Sequence, residues 1–334
     1  MRFARPSTEV RLAGFGALTP AGQGAPPPRT ARDGTPRRRD VPLDLAALCG
    51  AAGDTLRRMD RYGALGYAAA HLALRDGEAL RGAPFDPGCG VMIGSSVACL
   101  GACRLFHEER RDRPPASRSP ALFVRTIANA VNGDISIARG LDGPCETFVS
   151  GFTAGAEAML AAAAAIDAGR ATAVLAGGVE APDSFWRERA TESLPVEAAG
   201  FVLLRGDGDP TAPRLRAWHR SHDPAGSFPL RAAIEALAPL PIEAIVVANL
   251  VSEALLDRWR RDAGGRPVVD LAERAGELGA AAAPIAAALH GAGARVEAGT
   301  SAPASAPPGW LVLSRDQEGG MAVLAFEAGE GLRA

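Results

Sequence analysis

The segment Ser150-Gly151-Phe152-Thr153-Ala154-Gly155 joins an extended run, Glu146–Val149, to an Ala-rich helical stretch, Ala154–Ala168, that Gly169 closes. The first residues of a helix carry backbone N–H groups with no intrahelical partner, and the helix dipole favours negative charge there. A thiol at that place would be acidified into a nucleophile. The residue that stands there is Phe152, which has no nucleophilic atom. Ser150 and Thr153 flank it, but a hydroxyl needs a general base within hydrogen-bond reach. Cys145 lies seven residues before Phe152, at the start of the extended run and far from the helix end.

The remaining chemistry-bearing side chains form no obvious set. The five cysteines (Cys49, Cys89, Cys99, Cys103, Cys145) contain no CxxC pair. Cys99 and Cys103 are four apart, which suits one helical face better than a zinc knuckle, and no second ligand pair follows. Buried free thiols in a reducing compartment are expected. His71 falls in an amphipathic helix, His107 in a charged helix end and His290 at a helix C-terminus; His219 and His222 are the only close pair, read as a solvated loop rather than a metal site. Asp112, Asp134, Glu180 and Glu277 offer carboxylates without a neighbouring nucleophile.

These residues must be positioned by a chain of 334 residues, 47% hydrophobic and 22% charged, with a net charge of −2. Such values are those of a globular protein and point neither to a nucleic-acid surface nor to a membrane. Basic residues cluster between Arg29 and Asp40, but all 36 are Arg, and 39 Gly and 26 Pro accompany them, so the clusters reflect composition more than function. No apolar h-region of a signal peptide is seen in MRFARPSTEVRLAGFG, and the Ala154–Ile166 run is too short to span a bilayer. A soluble, cytoplasmic protein is expected.

Strand-like runs alternate with helical stretches, which argues for an α/β fold. Expected strands are Glu9–Gly14, Gly90–Gly94, Ala173–Ala176, Gly200–Leu204, Ile242–Asn249, Trp310–Ser314 and Met321–Phe326. Expected helices are Asp60–Leu80, Phe123–Arg139, Ala154–Ala168, Ser252–Ala263 and Gly276–His290. Gly22–Pro42 reads as loop. The polar, Pro-containing break Arg205–Pro213 separates two halves, 1–205 and 206–334, that repeat the same alternation within one structural unit. The Ala154–Ile166 helix should be almost wholly buried because its composition leaves no polar face.

SPALFVRTIANAVNGDISIARGLDGP (Ser119–Pro144), followed by ETFVSGFTAGAEAMLAAAAAIDAGRATAVLAGGVE (Glu146–Glu180), resembles the β-ketoacyl-acyl carrier protein synthases of the thiolase-like superfamily. The order of pieces is the same: helix, the turn Gly140-Leu141-Asp142-Gly143-Pro144, strand, elbow, long helix, and a strand ending Ala176-Gly177-Gly178-Val179-Glu180. Val10–Pro20, the Arg58–Tyr62 motif and Val91–Ser95 also fall where that family has similar residues. The likeness covers roughly Val10–Leu204 and is faint beyond. Several motifs in one order are specific where one alone would be weak.

The resemblance implies a layered αβαβα fold of two pseudo-repeated halves. It also implies that Phe152 occupies the family's cysteine position. Asn249 and Leu250 then stand at the first family histidine, Glu277 at the second and Ala272 at the family lysine, and Gln317–Ala322 is a reduced form of the C-terminal glycine-rich loop. With all three catalytic types missing, condensation is not expected. The chain looks like a chain-length factor, the partner that pairs with a catalytic ketosynthase as a heterodimer around an acyl chain tethered to an acyl carrier protein. Val97, Leu122 and Phe152 would line the acyl tunnel, and Glu146, Thr147, Phe148 and Val149 would pair across the dimer. No cofactor or metal is implied. The competing readings are a thiolase-fold acyltransferase or hydrolase using Ser150 or Cys145, and a homodimeric acyl-binding scaffold.

Overall fold

A computed structural model describes residues 1–20, 22–23, 40–49, 59–81, 86–189, 195–238, 240–275, 277–291 and 309–329. The strands are β1 (Val10–Thr19), β2 (Gly22–Gln23), β3 (Gly90–Ser95), β4 (Cys145–Val149), β5 (Ala173–Glu180), β6 (Ala198–Arg205), β7 (Arg214–His222), β8 (Ala244–Val247), β9 (Val268–Asp270), β10 (Gly309–Arg315) and β11 (Gly320–Glu327). The helices are α1 (Leu45–Cys49), α2 (Arg61–Arg81), α3 (Leu100–Asp112), α4 (Pro120–Arg125), α5 (Ala130–Arg139), α6 (Ala154–Asp167), α7 (Ser184–Arg189), α8 (Leu230–Ala236), α9 (Glu253–Asp262), α10 (Leu271–Ala275) and α11 (Ala282–Gly291). The expected loop Gly22–Pro42 lies outside the described residues except at its two ends, where Gly22 and Gln23 pair back onto β1.

Hydrogen bonds link the strands in the order β4-β3-β5-β6-β1-β7-β11-β10-β8-β9. The path is two copies of one five-stranded pattern. In the first, β4, β3 and β5 run parallel and β6 and β1 follow antiparallel. In the second, β9, β8 and β10 run parallel and β11 and β7 follow antiparallel. The copies meet through β1 and β7 at two residue pairs, Val10↔Leu215 and Arg11↔Arg214. Two sheets were expected; a short seam makes them continuous.

Period-two alternation divides the apolar residues into three layers. On β5, Val174 and Ala176 face a central layer while Leu175 and Val179 face outward to α2; on β10, Trp310 and Val312 face the centre while Leu311 and Leu313 face the layer containing α8 and α9. The central layer holds α6 and α11. The alternation of helix and sheet layers is therefore αβαβα. Parallel strands covered on both faces read as continuous apolar runs, which is why β3, β5 and β8 were legible.

Several boundaries differ from expectation. The expected helix Phe123–Arg139 is broken into α4 and α5, because the Thr126 hydroxyl and N–H both bond to Phe123 O and end α4. Gly279 takes φ 55, so the expected helix Gly276–His290 begins as a 3-10 turn, Gly279–Ala281, before α11. His219 and His222 lie in β7, paired with β11, not in a solvated loop. The mixed polar sequence RLRAWHRSH concealed a strand that buries Leu215 in the central layer and Ala217 in the layer of α8 and α9.

Close backbone approaches fix the centre. A Cβ at Gly94 would fall on the Ala154 carbonyl at the start of α6, and a Cβ at Gly155 or Gly178 would fall on Ala280 O. Gly155→Ala and Gly178→Ala should therefore each cost roughly 1–3 kcal/mol by overpacking. Gly133 in α5 has nothing within 4 Å of an added Cβ, so Gly133→Ala should gain up to about 1 kcal/mol from helix propensity. Urea unfolding midpoints of the three variants check both signs.

Candidate functional site

β4 ends at Val149, Gly151 takes φ 75, and the chain turns onto α6 with Thr153 as N-cap. Phe152 sits half-buried at the foot of this helix. Eleven residues of α6 are buried, as composition required, but one of them is Glu157. Its carboxylate accepts from Ser150 Oγ at 2.8 Å and Thr153 Oγ1 at 3.3 Å and pairs with Arg220 of β7 at 2.8 Å. Sequence reasoning passed over Glu157, its partner Arg220, and Ser314, which bonds to Asn249. A lone carboxylate in an otherwise apolar helix was the available signal, since such a group is buried only with partners.

On the facing side, the positions expected to replace the two histidines come together. Asn249 is fully buried; its Nδ2 donates to Glu277 Oε1 at 3.1 Å and to Gly279 O at 2.8 Å, while its Oδ1 accepts from Ser314 Oγ at 2.7 Å. Glu277 also accepts from the N–H groups of Leu250, at 2.6 Å, and Gly279, at 2.8 Å. Leu250 itself is 55% exposed. Burial raises the Glu277 carboxyl above its usual range, and the Leu250 and Asn249 donors oppose that shift. The side-chain hydrogen-bonding capacity of Asn249 is thus spent within the protein. Ala272, at the position expected for a lysine, is buried in α10. The Gln317–Ala322 segment turns β10 into β11, with Asp316 accepting from Gly320 N at 2.6 Å.

Glu180, the last residue of β5, lies behind these groups. Its Oε1 accepts from Ser96 N at 2.8 Å and Ala280 N at 2.9 Å, tying the turn after β3 to the Gly279–Ala281 turn of the second half. Gly178 allows the approach and Glu180 fastens it, which gives the Ala-Gly-Gly-x-Glu motif a physical reason. Burial pushes the Glu180 carboxyl up to about 7, with the Ala280 and Ser96 donors pulling it back.

The other expected positions are more scattered. Val97 is half-buried in the turn that Glu180 holds, and Gly94 and Ala154, which touch, bring that turn near Phe152. Leu122 stands apart on α4, its N–H bonded to Ser119 Oγ. Glu146, Thr147, Phe148 and Val149 lie in β4, an end strand of the sheet path paired with β3 on one side. Asn132 braces it from α5, donating to Glu146 O at 2.7 Å and Val91 O at 3.3 Å. Cys145 is exposed at the start of β4. Asp134 pairs with Arg125, and Asp112 with Arg111. His71 stacks on Tyr67 beside Arg139. Among the described residues, no group of three or more His, Cys, Asp or Glu side chains is placed to hold a metal ion, and no helix is long and apolar enough to cross a membrane.

Glu180 makes stability depend on pH. Its carboxyl titrates near 7 when folded and near 4.5 when unfolded, so between these values the folded chain holds the extra proton. Stability should fall as pH rises from about 4.5 to about 7, by up to roughly 1.4 kcal/mol per unit, and level off above. Glu277 acts in the same sense. His71, lowered by burial and by Arg139, acts in the opposite sense. Urea denaturation of wild type and Glu180→Gln across this window should show a shallower fall in the variant.

Comparison with known proteins agrees with this architecture. Residues 45–189 match the family model described as Beta-ketoacyl synthase, N-terminal domain. Over 170 residues the chain is 31% identical to 3-oxoacyl-[acyl-carrier-protein] synthase 2 of Vibrio cholerae serotype O1, a match covering 50% of this chain and 39% of that protein. The chain thus spans about two fifths of that relative's length. Among solved structures, the ishigamide ketosynthase/chain length factor superposes with a TM-score of 0.74 at 20% identity, covering 96% of this chain and 99% of that one. A type II polyketide synthase acyl-carrier protein in complex with its ketosynthase bound to the hexaketide gives 0.73 at 18% identity, covering 97% and 100%. At these identities the structural likeness is one of fold. The described residues have the mixed α/β, thiolase-like ketosynthase fold, and residues 45–189 match the model of the N-terminal domain of the β-ketoacyl synthases.

Proposed function

We propose that this protein is a non-catalytic, cytoplasmic ketosynthase partner of the chain-length-factor type. It would pair with a cysteine-bearing ketosynthase and shape the tunnel for an acyl chain carried on an acyl carrier protein. The observation that carries the reading is the pairing of Phe152 at the helix elbow with a closed Asn249–Glu277–Ser314 network where the resemblance places two histidines. A phenyl ring forms no thioester, and a buried carboxylate bonded to Leu250 N, Gly279 N and Asn249 is a poor substitute for an imidazole that must give and take protons.

The surface supports the partnership. β4 presents one unpaired edge among the described residues, and such an edge invites strand addition. Exposed apolar side chains lie at and beside this edge: Val149 at the end of β4 and Ile137 on α5, the helix that braces β4. Glu146–Val149 would pair across the two-fold, and Val97, Leu122 and Phe152 would contribute shape to the tunnel. The solved ketosynthase/chain length factor of the same fold favours this reading over a homodimeric scaffold.

A second reading has one observation in its favour: Ser150 Oγ donates to Glu157 at 2.8 Å, the geometry of a hydroxyl beside a base. The Arg220 ion pair and the Thr153 hydroxyl weaken it, because they already engage the same carboxylate.

Intact-mass spectrometry after incubation with acyl-carrier-protein thioesters should show no stable acyl adduct, and Phe152→Cys alone should not restore condensation. A persistent adduct lost in Ser150→Ala would establish the second reading instead. Co-expression with the ketosynthase of the same genome should give a one-to-one complex by size exclusion, lost in Val149→Asp. Elution as a homodimer that ignores every such ketosynthase would overturn the proposal.

A further inference from the structure

Cys99 and Cys103 take no part in the site above, yet they are the two thiols that the fold brings face to face. Cys99 is the N-cap of α3, and Cys103 N bonds to Cys99 O at 2.9 Å, so the two lie one helical turn apart. Their sulfurs are 3.8 Å apart. Both point at the carbonyl of Thr126, the residue that ends α4: Cys99 Sγ is 3.2 Å and Cys103 Sγ 3.6 Å from Thr126 O. Cys99 is buried and Cys103 is half-buried.

Two chemistries could use a dithiol so placed. A disulfide needs its Cβ atoms about 3.5–4.5 Å apart, whereas positions i and i+4 of a helix hold them roughly 5–6 Å apart. Direct oxidation would therefore have to unwind the first turn of α3. A single bridging atom meets no such obstacle. Bonds of about 2.3 Å to sulfur and about 2.1 Å to oxygen at tetrahedral angles place two sulfurs roughly 3.8 Å apart, and a sulfur and an oxygen roughly 3.6 Å apart. The Cys99 Sγ–Cys103 Sγ distance of 3.8 Å and the Cys103 Sγ–Thr126 O distance of 3.6 Å have these dimensions, and the Cys99 Sγ–Thr126 O distance of 3.2 Å is the one that must lengthen on binding.

We propose that Cys99 Sγ, Cys103 Sγ and the Thr126 carbonyl form a three-donor site for a thiophilic, tetrahedral divalent ion of the zinc and cadmium class. On binding, both S–H bonds break, two S–metal bonds form and two protons go to solvent, so the ion's charge is balanced by two thiolates. The fourth position stays open. The sequence spacing put two thiols on one helical face and was read there as free cysteines; the third donor is a backbone oxygen delivered from 23 residues away by the α4 end. Because two protons leave for each ion bound, affinity should increase with pH. Occupancy would brace α3 against the end of α4, the elements that carry Leu105, Phe123 and Val124. The inference stands independently of the ketosynthase partnership.

Titration of the full chain with Cd2+ tests it, because thiolate–cadmium bonds absorb in the ultraviolet. One Cd2+ per chain, two protons released per ion and a melting temperature that rises at saturation are expected. Cys99→Ser and Cys103→Ser should each weaken binding tenfold or more with circular dichroism unchanged, and Cys145→Ser should leave it unaltered. If Cys99→Ser fails to fold, Cys103→Ser and Cys103→Ala at the half-buried position decide the matter alone. No charge-transfer band, or a band weakened less than tenfold in the Cys103 variants, would refute the site.

Discussion

A carboxylate buried at the end of β5 and bonded to backbone N–H groups is the constraint around which the two halves are assembled. Glu180 reaches the turn after β3 in its own half and the Gly279–Ala281 turn in the other. Ala280 can come that close only because Gly155 and Gly178 lack a Cβ. Buried polar groups require such partners, since an unpaired carboxylate in this position would cost several kcal/mol. The same contact sets the start of α6 against β3 and so decides where Phe152 stands.

At the elbow, Gly151 turns the chain with φ 75 and α6 begins against β3, where Gly94 leaves room for the Ala154 carbonyl. Around it, polar groups satisfy one another. Asn249 is shared by Glu277, Gly279 and Ser314, and Glu157 by Ser150, Thr153 and Arg220. Fully satisfied networks stabilise and fix a conformation.

The outer surface has a different logic. The pseudo-repeat places one end strand, β4 or β9, at each end of the path, and exposed Val149 and Ile137 lie at and beside β4. An edge rich in carbonyl and N–H groups next to such side chains is costly to leave in water. That asymmetry between two topologically equivalent ends is a feature of the side chains, not of the backbone plan.

The amino-acid sequence by itself determined the class of the fold. Continuous apolar runs mark parallel strands covered on both faces, and the helix Ala154–Asp167 is read from its composition and from Gly169. It also determined which residue stands at the elbow. Other features were not legible. β7 was missed because its alternation is interrupted by Trp218, His219 and Arg220, and a two-residue seam leaves no local pattern at all. The meeting of Asn249 with Glu277, of Glu157 with Arg220, and of two thiols with the Thr126 carbonyl was decided only by the tertiary structure. These contacts join residues between 4 and 63 positions apart, or depend on a backbone oxygen, and neither separation nor main-chain atoms leave a periodic trace in a sequence.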